Sequence, residues 1–345
     1  MKNKQINILG IETSCDETAA AIVTDGRIVK SSIVASQTKL HEKYGGVVPE
    51  IASRAHIEKI YPVITEAIEQ AGVDKDDIDA IAVANQPGLT VALIVGVTAA
   101  KTLSFVWEKP LLAINHLHAH LQSALMEQDS PELPAVALIV SGGHTSLYDY
   151  HSPLQPVLLG STIDDAAGEA FDKVATILKL SYPGGPSIEK AAKNGDPKAI
   201  RFPTSMLGKD SLDFSFSGIK TAVLYYCHGK DMKGENKVDS MSQQQIADIA
   251  ASFQKAVVDV LVKKTQRAAE KIRAKTVLLG GGVAANTELR TRLQEMCDSM
   301  TPPKKLFVAP KRYCTDNAVM VASLAYYKYK TGLFADLTLE PIATG

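Results

Sequence analysis

The sequence is short of several things that would place it in a class at once. Its four cysteines, Cys15, Cys227, Cys297 and Cys314, are scattered along 345 residues. No two have the spacing of a zinc ribbon or a redox Cys-x-x-Cys pair, so free thiols in a reducing cytosol are expected. There is no long hydrophobic run. The most apolar stretch, Leu89–Ala100, is cut by Lys101 and is too short to span a bilayer. The first ten residues carry two lysines but no adequate apolar region, and acids follow at Glu12, Asp16 and Glu17, so no secretory signal is expected. No low-complexity linker and no short-period repeat is present. A soluble, cytoplasmic protein with no membrane association is the expectation.

A strong charge of one sign is also lacking. The formal net charge is −1, from 37 Lys+Arg against 38 Asp+Glu. The charge is unevenly spread, however. Lys255–Arg312 holds 13 basic and 5 acidic residues, a local +8 that leaves −9 for the rest. A basic segment of this kind is either part of a nucleic-acid footprint or a helix with a solvated basic face.

What is present is ordinary globular composition, 46% hydrophobic and 22% charged, in a chain long enough for about two domains. Ile6–Glu12 reads as an apolar strand, Thr13–Thr18 as a small and acidic turn, and Ala19–Thr24 as a second strand. Asp25-Gly26 predicts a tight turn into a third strand, Ile28–Ser36. The plan recurs at Ala135–Val140, Ser141–Thr145 and Ser146–Tyr150, which suggests two related domains. Between and after these hairpins strands and helices alternate. Helices are predicted over Pro49–Ala71, Leu89–Val106, from His116, Ala166–Leu178, Ile219–Cys227, Ser242–Arg273 and Thr315 to about Tyr329. Strands are predicted over Ile78–Ala84, Leu111–Asn115 and Thr276–Leu279. Alternation favours α/β layers. The last helix is expected to pack on the first domain, giving residues 1–133 plus about 310–345 as one lobe and 134–309 as the other.

Four segments can carry chemistry. In Asn115-His116-Leu117-His118-Ala119-His120-Leu121, Asn115 is a good N-cap, and His116 and His120 fall on one helical face while His118 points elsewhere. Leu117, Leu121, Ala124 and Leu125 supply the adjoining apolar stripe. Two imidazoles one turn apart can share a divalent metal with a third ligand from elsewhere, but the same spacing arises in two unrelated, partly exposed histidines. A zinc protease of the His-Glu-x-x-His kind is excluded, because Leu117 follows His116. Thr276–Asn286 reads as strand, Gly280-Gly281-Gly282, then helix, which suits close approach of an anionic ligand. No Gly-Lys-Ser/Thr follows, and Pro302-Pro303-Lys304-Lys305 stands where a dinucleotide site needs an acid. Ser141-Gly142-Gly143 ends a strand with exposed amides and a hydroxyl, another anion cradle. Glu169 and Lys173 in Gly168–Lys173 are spaced for a helix ion pair, while no basic residue is spaced to pair with Asp172 along the same helix. Tyr182–Pro186 reads as a rigid turn into a helix bearing Glu189, and Phe214–Gly218 as a small-residue turn.

Taken together, Gly10–Thr18, the His116/His120 helix, Ser141–Thr145, Gly168–Lys173, Tyr182–Pro186, Phe214–Lys220, Gly280–Asn286 and Cys314-Thr315-Asp316-Asn317 resemble one family in order and spacing. It is the tRNA adenosine threonylcarbamoyltransferases, formerly described as O-sialoglycoprotein endopeptidases. The resemblance covers nearly the whole chain. It implies the two-lobed, actin-like α/β fold of the acetate-kinase, sugar-kinase and actin superfamily, with duplicated α/β domains. It implies transfer of a threonylcarbamoyl group from its adenylate to the N6 amine of the adenosine 3′ to the anticodon. It adds Asp316 to His116 and His120 as a third ligand of one divalent metal per chain, iron first and zinc as the alternative. It implies adenylate binding by Ile139, Val140, Ser141, Gly142, Gly143, Asp172, Gly185, Glu189 and Asn286. Asp16 and Glu17 are the candidate general bases for the amine. tRNA, an inactive paralogue and a small ATPase are the implied partners. Two other readings of the same fold are an ATP-dependent kinase and a non-catalytic nucleotide switch, neither of which requires the His/His/Asp set.

Overall fold

The computed structural model describes residues 4–128, 130–208, 210–229 and 237–344. The chain divides into two compact units. The first holds residues 1–129, 152–155 and 309–345, and the second holds 130–151 and 156–308.

The first unit opens with β1 (Asn7–Glu12), β2 (Glu17–Thr24) and β3 (Ile28–Ser36), an antiparallel meander. Asp25 and Gly26, with φ of 51° and 69°, make the turn that the Asp-Gly pair predicts. A short α1 (Thr38–His41) precedes α2 (Pro49–Ala71), which starts with proline in its first turn and stops at Gly72 in the left-handed conformation. Then come β4 (Ala80–Gln86), α3 (Thr90–Trp107), β5 (Leu111–Asn115) and α4 (His116–Ser123). β4 and β5 join β1 in parallel, and the sheet order is β3-β2-β1-β4-β5.

The second unit repeats this arrangement. β6 (Ala135–Val140), β7 (Thr145–Tyr150) and β8 (Val157–Ser161) form a second meander. α5 (Ala167–Ile177), α6 (Gly184–Ala192), α7 (Ser217–His228) and the long α8 (Gln243–Lys271) follow. α8 begins with a Ser242/Gln245 capping box. β9 (Thr276–Gly280), α9 (Thr287–Ser299) and β10 (Lys305–Val308) complete the unit. The sheet order β10-β9-β6-β7-β8, read from its other edge, matches the first sheet strand for strand, with the same two antiparallel and two parallel pairings. The duplication suggested by the two hairpins extends through both five-stranded sheets among the described residues. Finally α10 (Ala318–Thr331) returns to the first unit.

The first sheet is buried on both faces, which is why β1 reads as a continuous apolar run. Ile8, Ala21 and Ala82 pack with Met320 and Leu324 of α10, whereas Leu9, Ile11 and Ile22 pack with Val63 and Ala67 of α2 and Val97 of α3. By length and composition α3 could cross a membrane, but Ala92, Leu93, Gly96, Val97 and Ala100 are buried, and the helix packs on β4 and α2.

Candidate functional site

In the first unit β5 runs straight into α4. The Asn115 side chain accepts from the His118 backbone N–H at 3.0 Å, so the helix starts where the sequence predicts. His116 and His120 share a face, their ring centroids 4.6 Å apart and nearly perpendicular. They are not the partly exposed pair that the spacing alone also allows. Both are buried, because α10 packs on α4. His118 lies off that face beside Lys328, and burial together with that charge lowers its pKa to about 4.

The predicted last helix begins three residues later than its sequence pattern suggests, at Ala318 and not Thr315. Asn317 is the N-cap, its side chain accepting from Met320 N, so Asp316 stands in the turn before α10. Its Oδ1 lies 3.1 Å from His120 Nε2 and 3.5 Å from His116 Nε2. One donor atom from each of His116, His120 and Asp316 falls within 4.8 Å of the others. Two imidazole nitrogens and one carboxylate oxygen form a donor set suited to a divalent transition metal. The electrostatics agree. Burial alone would lower the His116 pKa, but Glu12 and Asp316 outweigh it and push it up to about 9. In His120 burial prevails over the Asp316 hydrogen bond and, with His116 adding to it, lowers the pKa. His120 Nδ1 is buried with no hydrogen-bond partner among the described residues. The Glu12 and Asp316 carboxylates thus favour positive charge at this point, where a metal cation would take the place of the His116 proton.

Three residues to which sequence reasoning gives no role support this centre. Glu12, fully buried at the end of β1, accepts from Ser14 N at 2.6 Å and from His116 Nδ1 at 2.9 Å. Ser14 Oγ is 3.1 Å from the same nitrogen. His56 of α2 lies under the next turn, with Nδ1 2.8 Å from Thr18 Oγ1 and Nε2 2.9 Å from the Cys15 carbonyl. The available signal was a polar cluster directly after a wholly apolar strand. The turn that His56 braces carries Asp16 and Glu17. The Glu17 carboxyl is held well above the usual carboxylate range by burial, then by Asp316 and Asp16, so Glu17 stands in the field of the metal-type carboxylate.

In the second unit the predicted ligand residues gather at the C-terminal ends of the parallel strands. Ile139 pairs with Gly280, so the turns after β6 and β9 emerge side by side. Ser141 N donates to His144 O, which leaves Gly142 and Gly143 exposed with open space about their Cα atoms. Glu169 N of α5 donates to Gly142 O at 3.0 Å. Asp172 of α5 accepts from Gly184 N at 2.6 Å at the start of α6, and Glu189 of α6 accepts from Thr287 N at 3.0 Å at the start of α9. Asn286 caps α9 by accepting from Leu289 N and donates to Gln254 Oε1. Gly185 faces open space. The triple glycine does not lead directly into the helix. A 3-10 turn, Gly282–Ala285, intervenes because Asn286 places the cap four residues later. Asp164 accepts from Ser215 Oγ, Ser217 Oγ and Phe216 N, so the Phe214–Gly218 segment is pinned as the start of α7. Lys173 bonds both Glu169 and Asp165.

The basic segment does not form one face. Lys264 is buried and donates to the Met206 and Ser211 carbonyls at 3.0 Å. Lys255 and Arg292 share Asp259, and Arg312 pairs with Glu127. Of its exposed charges, Lys271, Arg273, Lys275 and Lys305 lie at the N-terminal ends of β9 and β10, away from the glycine turns.

A family model for tRNA N6-adenosine threonylcarbamoyltransferase matches residues 28–323. The chain belongs to that family. It is 50% identical over 338 residues to the tRNA N6-adenosine threonylcarbamoyltransferase of Moorella thermoacetica, covering 98% of this chain and 96% of the relative. The same enzyme of Thermomicrobium roseum is 51% identical over 351 residues, covering 96% and 94%. Among solved structures, component A of (R)-2-hydroxyglutaryl-CoA dehydratase from Acidaminococcus fermentans superposes with a TM-score of 0.52 at 16% identity, over 94% of this chain and 99% of that one. Full-length HypF in its phosphate- and nucleotide-bound form gives 0.59 at 14% identity, over 99% of this chain and 47% of HypF. These likenesses establish the fold alone, that of the actin-like ATPases and sugar kinases, in agreement with the duplicated sheets. His116 and His120 share α4 while Asp316 stands in the turn before α10, and the fold of the first unit brings these two segments together.

Proposed function

We propose that this chain is an acyltransferase that moves the threonylcarbamoyl group from threonylcarbamoyl-adenylate to the exocyclic N6 amine of the adenosine 3′ to the anticodon. Its substrates would be tRNAs reading codons that start with adenine. The observation that carries the reading is half-identity to named threonylcarbamoyltransferases over nearly the full length of both chains. His116, His120 and Asp316 would hold one divalent ion, iron(II) first and zinc as the alternative. When bound, such an ion supplies Lewis acidity toward a carbonyl or phosphate oxygen.

The chain's own residues account for the remaining work. Ser141, Gly142 and Gly143, with the Gly281-Gly282 turn, would cradle the adenylate through backbone N–H groups. Asp172, Gly185, Glu189 and Asn286 would hold its place, through the hydrogen bonds that tie α5, α6 and α9 together. As the amine nitrogen bonds to the carbamoyl carbon, the phosphate oxygen departs with the adenylate and the amine loses a proton. Glu17 is the residue we assign to receive it, with Asp16 beside it, because a carboxyl held above its usual range accepts a proton more readily near neutral pH. The Lys255–Arg312 segment, through its exposed lysines, would contribute to holding tRNA.

The enzyme would work in the cytoplasm with an inactive paralogue and a small ATPase. Exposed apolar side chains on the first unit, Ile57 and Tyr61 of α2 with Val91, Ile94 and Phe105 of α3, support a protein partner there. The test supplies purified protein with threonylcarbamoyl-adenylate, metal, unmodified tRNA and those partners, and measures threonylcarbamoyladenosine by nucleoside mass analysis. Product is expected; none with every component present defeats the reading.

A further inference from the structure

Glu12 ends an apolar strand, is fully buried, and meets a donor with each of its oxygens. Burying a carboxylate is costly unless both oxygens are satisfied. One of these bonds, from Ser14 N–H, shapes the turn after β1, and a neutral side chain could accept it equally well. The other, to His116, is not needed by the turn.

The chemistry of that second bond is restrictive. An ionised carboxylate only accepts, so Glu12 Oε2 at 2.9 Å requires the proton on His116 Nδ1. In the neutral ring the lone pair is then on Nε2, and Nε2 is the nitrogen that faces Asp316 Oδ1. His120 has no such support, since its Nδ1 makes no hydrogen bond among the described residues. The two histidines of the centre are therefore not equivalent. His116 has a carboxylate partner on Nδ1, whereas His120 meets Asp316 through Nε2 and has no described partner on Nδ1.

We propose that Glu12 is a positioning residue that fixes His116 in the tautomer whose Nε2 is free to bind a cation, making His116 the anchoring ligand of the centre. The inference rests on the metal reading of His116, His120 and Asp316.

Glu12→Gln is the sharpest probe because it keeps the shape and reverses the tautomer. Its amide oxygen must accept from Ser14 N–H, which turns the amide NH2 toward His116 Nδ1. That nitrogen then becomes the acceptor, and the proton moves to Nε2. Full-length protein, stripped of metal, is titrated with Co2+, followed by its visible d–d bands, with affinity measured against a competing chelator. Glu12→Gln is expected to weaken Co2+ about 10–100-fold, the usual cost of losing a carboxylate behind a ligating histidine, with the melting temperature of the metal-free protein nearly unchanged. Unchanged Co2+ affinity in Glu12→Gln, beside a wild type that binds, overturns the proposal and leaves the metal reading standing. A wild type that binds no Co2+ overturns the metal reading and this inference with it. Should Glu12→Gln not fold, 15N spectra of the Zn2+-loaded wild type decide. Metal on His116 Nε2 with a proton on Nδ1 is expected, and metal on Nδ1 overturns the proposal.

Discussion

At the end of β1 the chain places a buried carboxylate, Glu12, then Thr13-Ser14-Cys15; at the end of β6, the corresponding strand of the second sheet, it places Ser141-Gly142-Gly143. After β5 comes a helix that opens with His116, whereas after β10 come Ala309 and Pro310. The two sheets share strand order and pairing, yet the first presents side-chain donors suited to a cation and the second presents backbone N–H groups suited to an anion. One feature is common to both. A Cβ on Gly88, after β4, would stand 2.6 Å from Ser14 O, and a Cβ on Gly281, after β9, would strike Val140 O. The shared topology decides where ligands meet the sheet, at the C-terminal strand ends. The residues at those ends decide what kind of ligand each can take.

The contrast is open to test, and the largest effect should fall on the side-chain half. His120→Ala or Asp316→Ala is expected to cut threonylcarbamoyl transfer by about 10³-fold, equivalent to several kcal/mol of lost charge stabilisation. Binding of an adenylate analogue, followed by calorimetry, should survive better than transfer. An equal loss of both would break the division of labour.

The backbone half should respond differently to its glycines. Gly281→Val puts a side chain at φ +91° against Val140 O, and is expected to cost about 3 kcal/mol or more in a denaturant melt. Gly143→Ala, with nothing within 4 Å of its Cβ, should melt like the wild type and lose only adenylate affinity, about threefold to tenfold. Asp172→Ala should cost about 1 kcal/mol, because the Gly184 N–H at the start of α6 loses its acceptor.

A smaller effect concerns the turn braced by His56. Burial lowers the His56 pKa below 6.5, against the opposing Cys15 carbonyl bond and the Glu12 and Asp16 charges, with His41 adding to the lowering. Above about 6.5 the imidazole is neutral both folded and unfolded, and it adds no pH dependence. As pH falls below that value the unfolded chain takes up the proton first, so stability declines toward the lowered folded pKa. Urea melts between pH 7.5 and 5.5 should show this decline, and His56→Gln should flatten it. The smallest effect is expected from reversing Lys271, Arg273 and Lys275. Each should change stability by less than about 0.5 kcal/mol, with tRNA binding weakened a few-fold and its salt dependence reduced. Unchanged tRNA binding would remove these charges from the tRNA footprint.

Much of this architecture was legible in one dimension. Asp25-Gly26, Gly72 and Asn115 mark boundaries that the structure keeps, because a turn or cap is decided by one or two residues and their backbone preferences. The edge strands β8 and β10 were not legible. They are short and half exposed, so neither apolar periodicity nor length sets them apart from loop. The start of α10 was misplaced because Asn317, the true cap, stands beside the equally eligible Thr315 and Asp316. The basic segment reads in sequence as part of a nucleic-acid footprint or as one solvated face, because depth is not encoded locally; buried Lys264 belongs to neither.

For the histidine pair, the sequence alone determined the helix, the shared face and the likeness to a family. Those follow from the 3.6-residue repeat and from motif order. Only the tertiary structure decided that both rings are buried, that Asp316 Oδ1 stands within 3.5 Å of each, and that Glu12 backs His116 while nothing comparable among the described residues backs His120. The physical reason is distance along the chain. Glu12 and Asp316 are separated from His116 by about a hundred and two hundred residues, respectively, and no local preference encodes a contact that forms only when β1, α4 and α10 pack together.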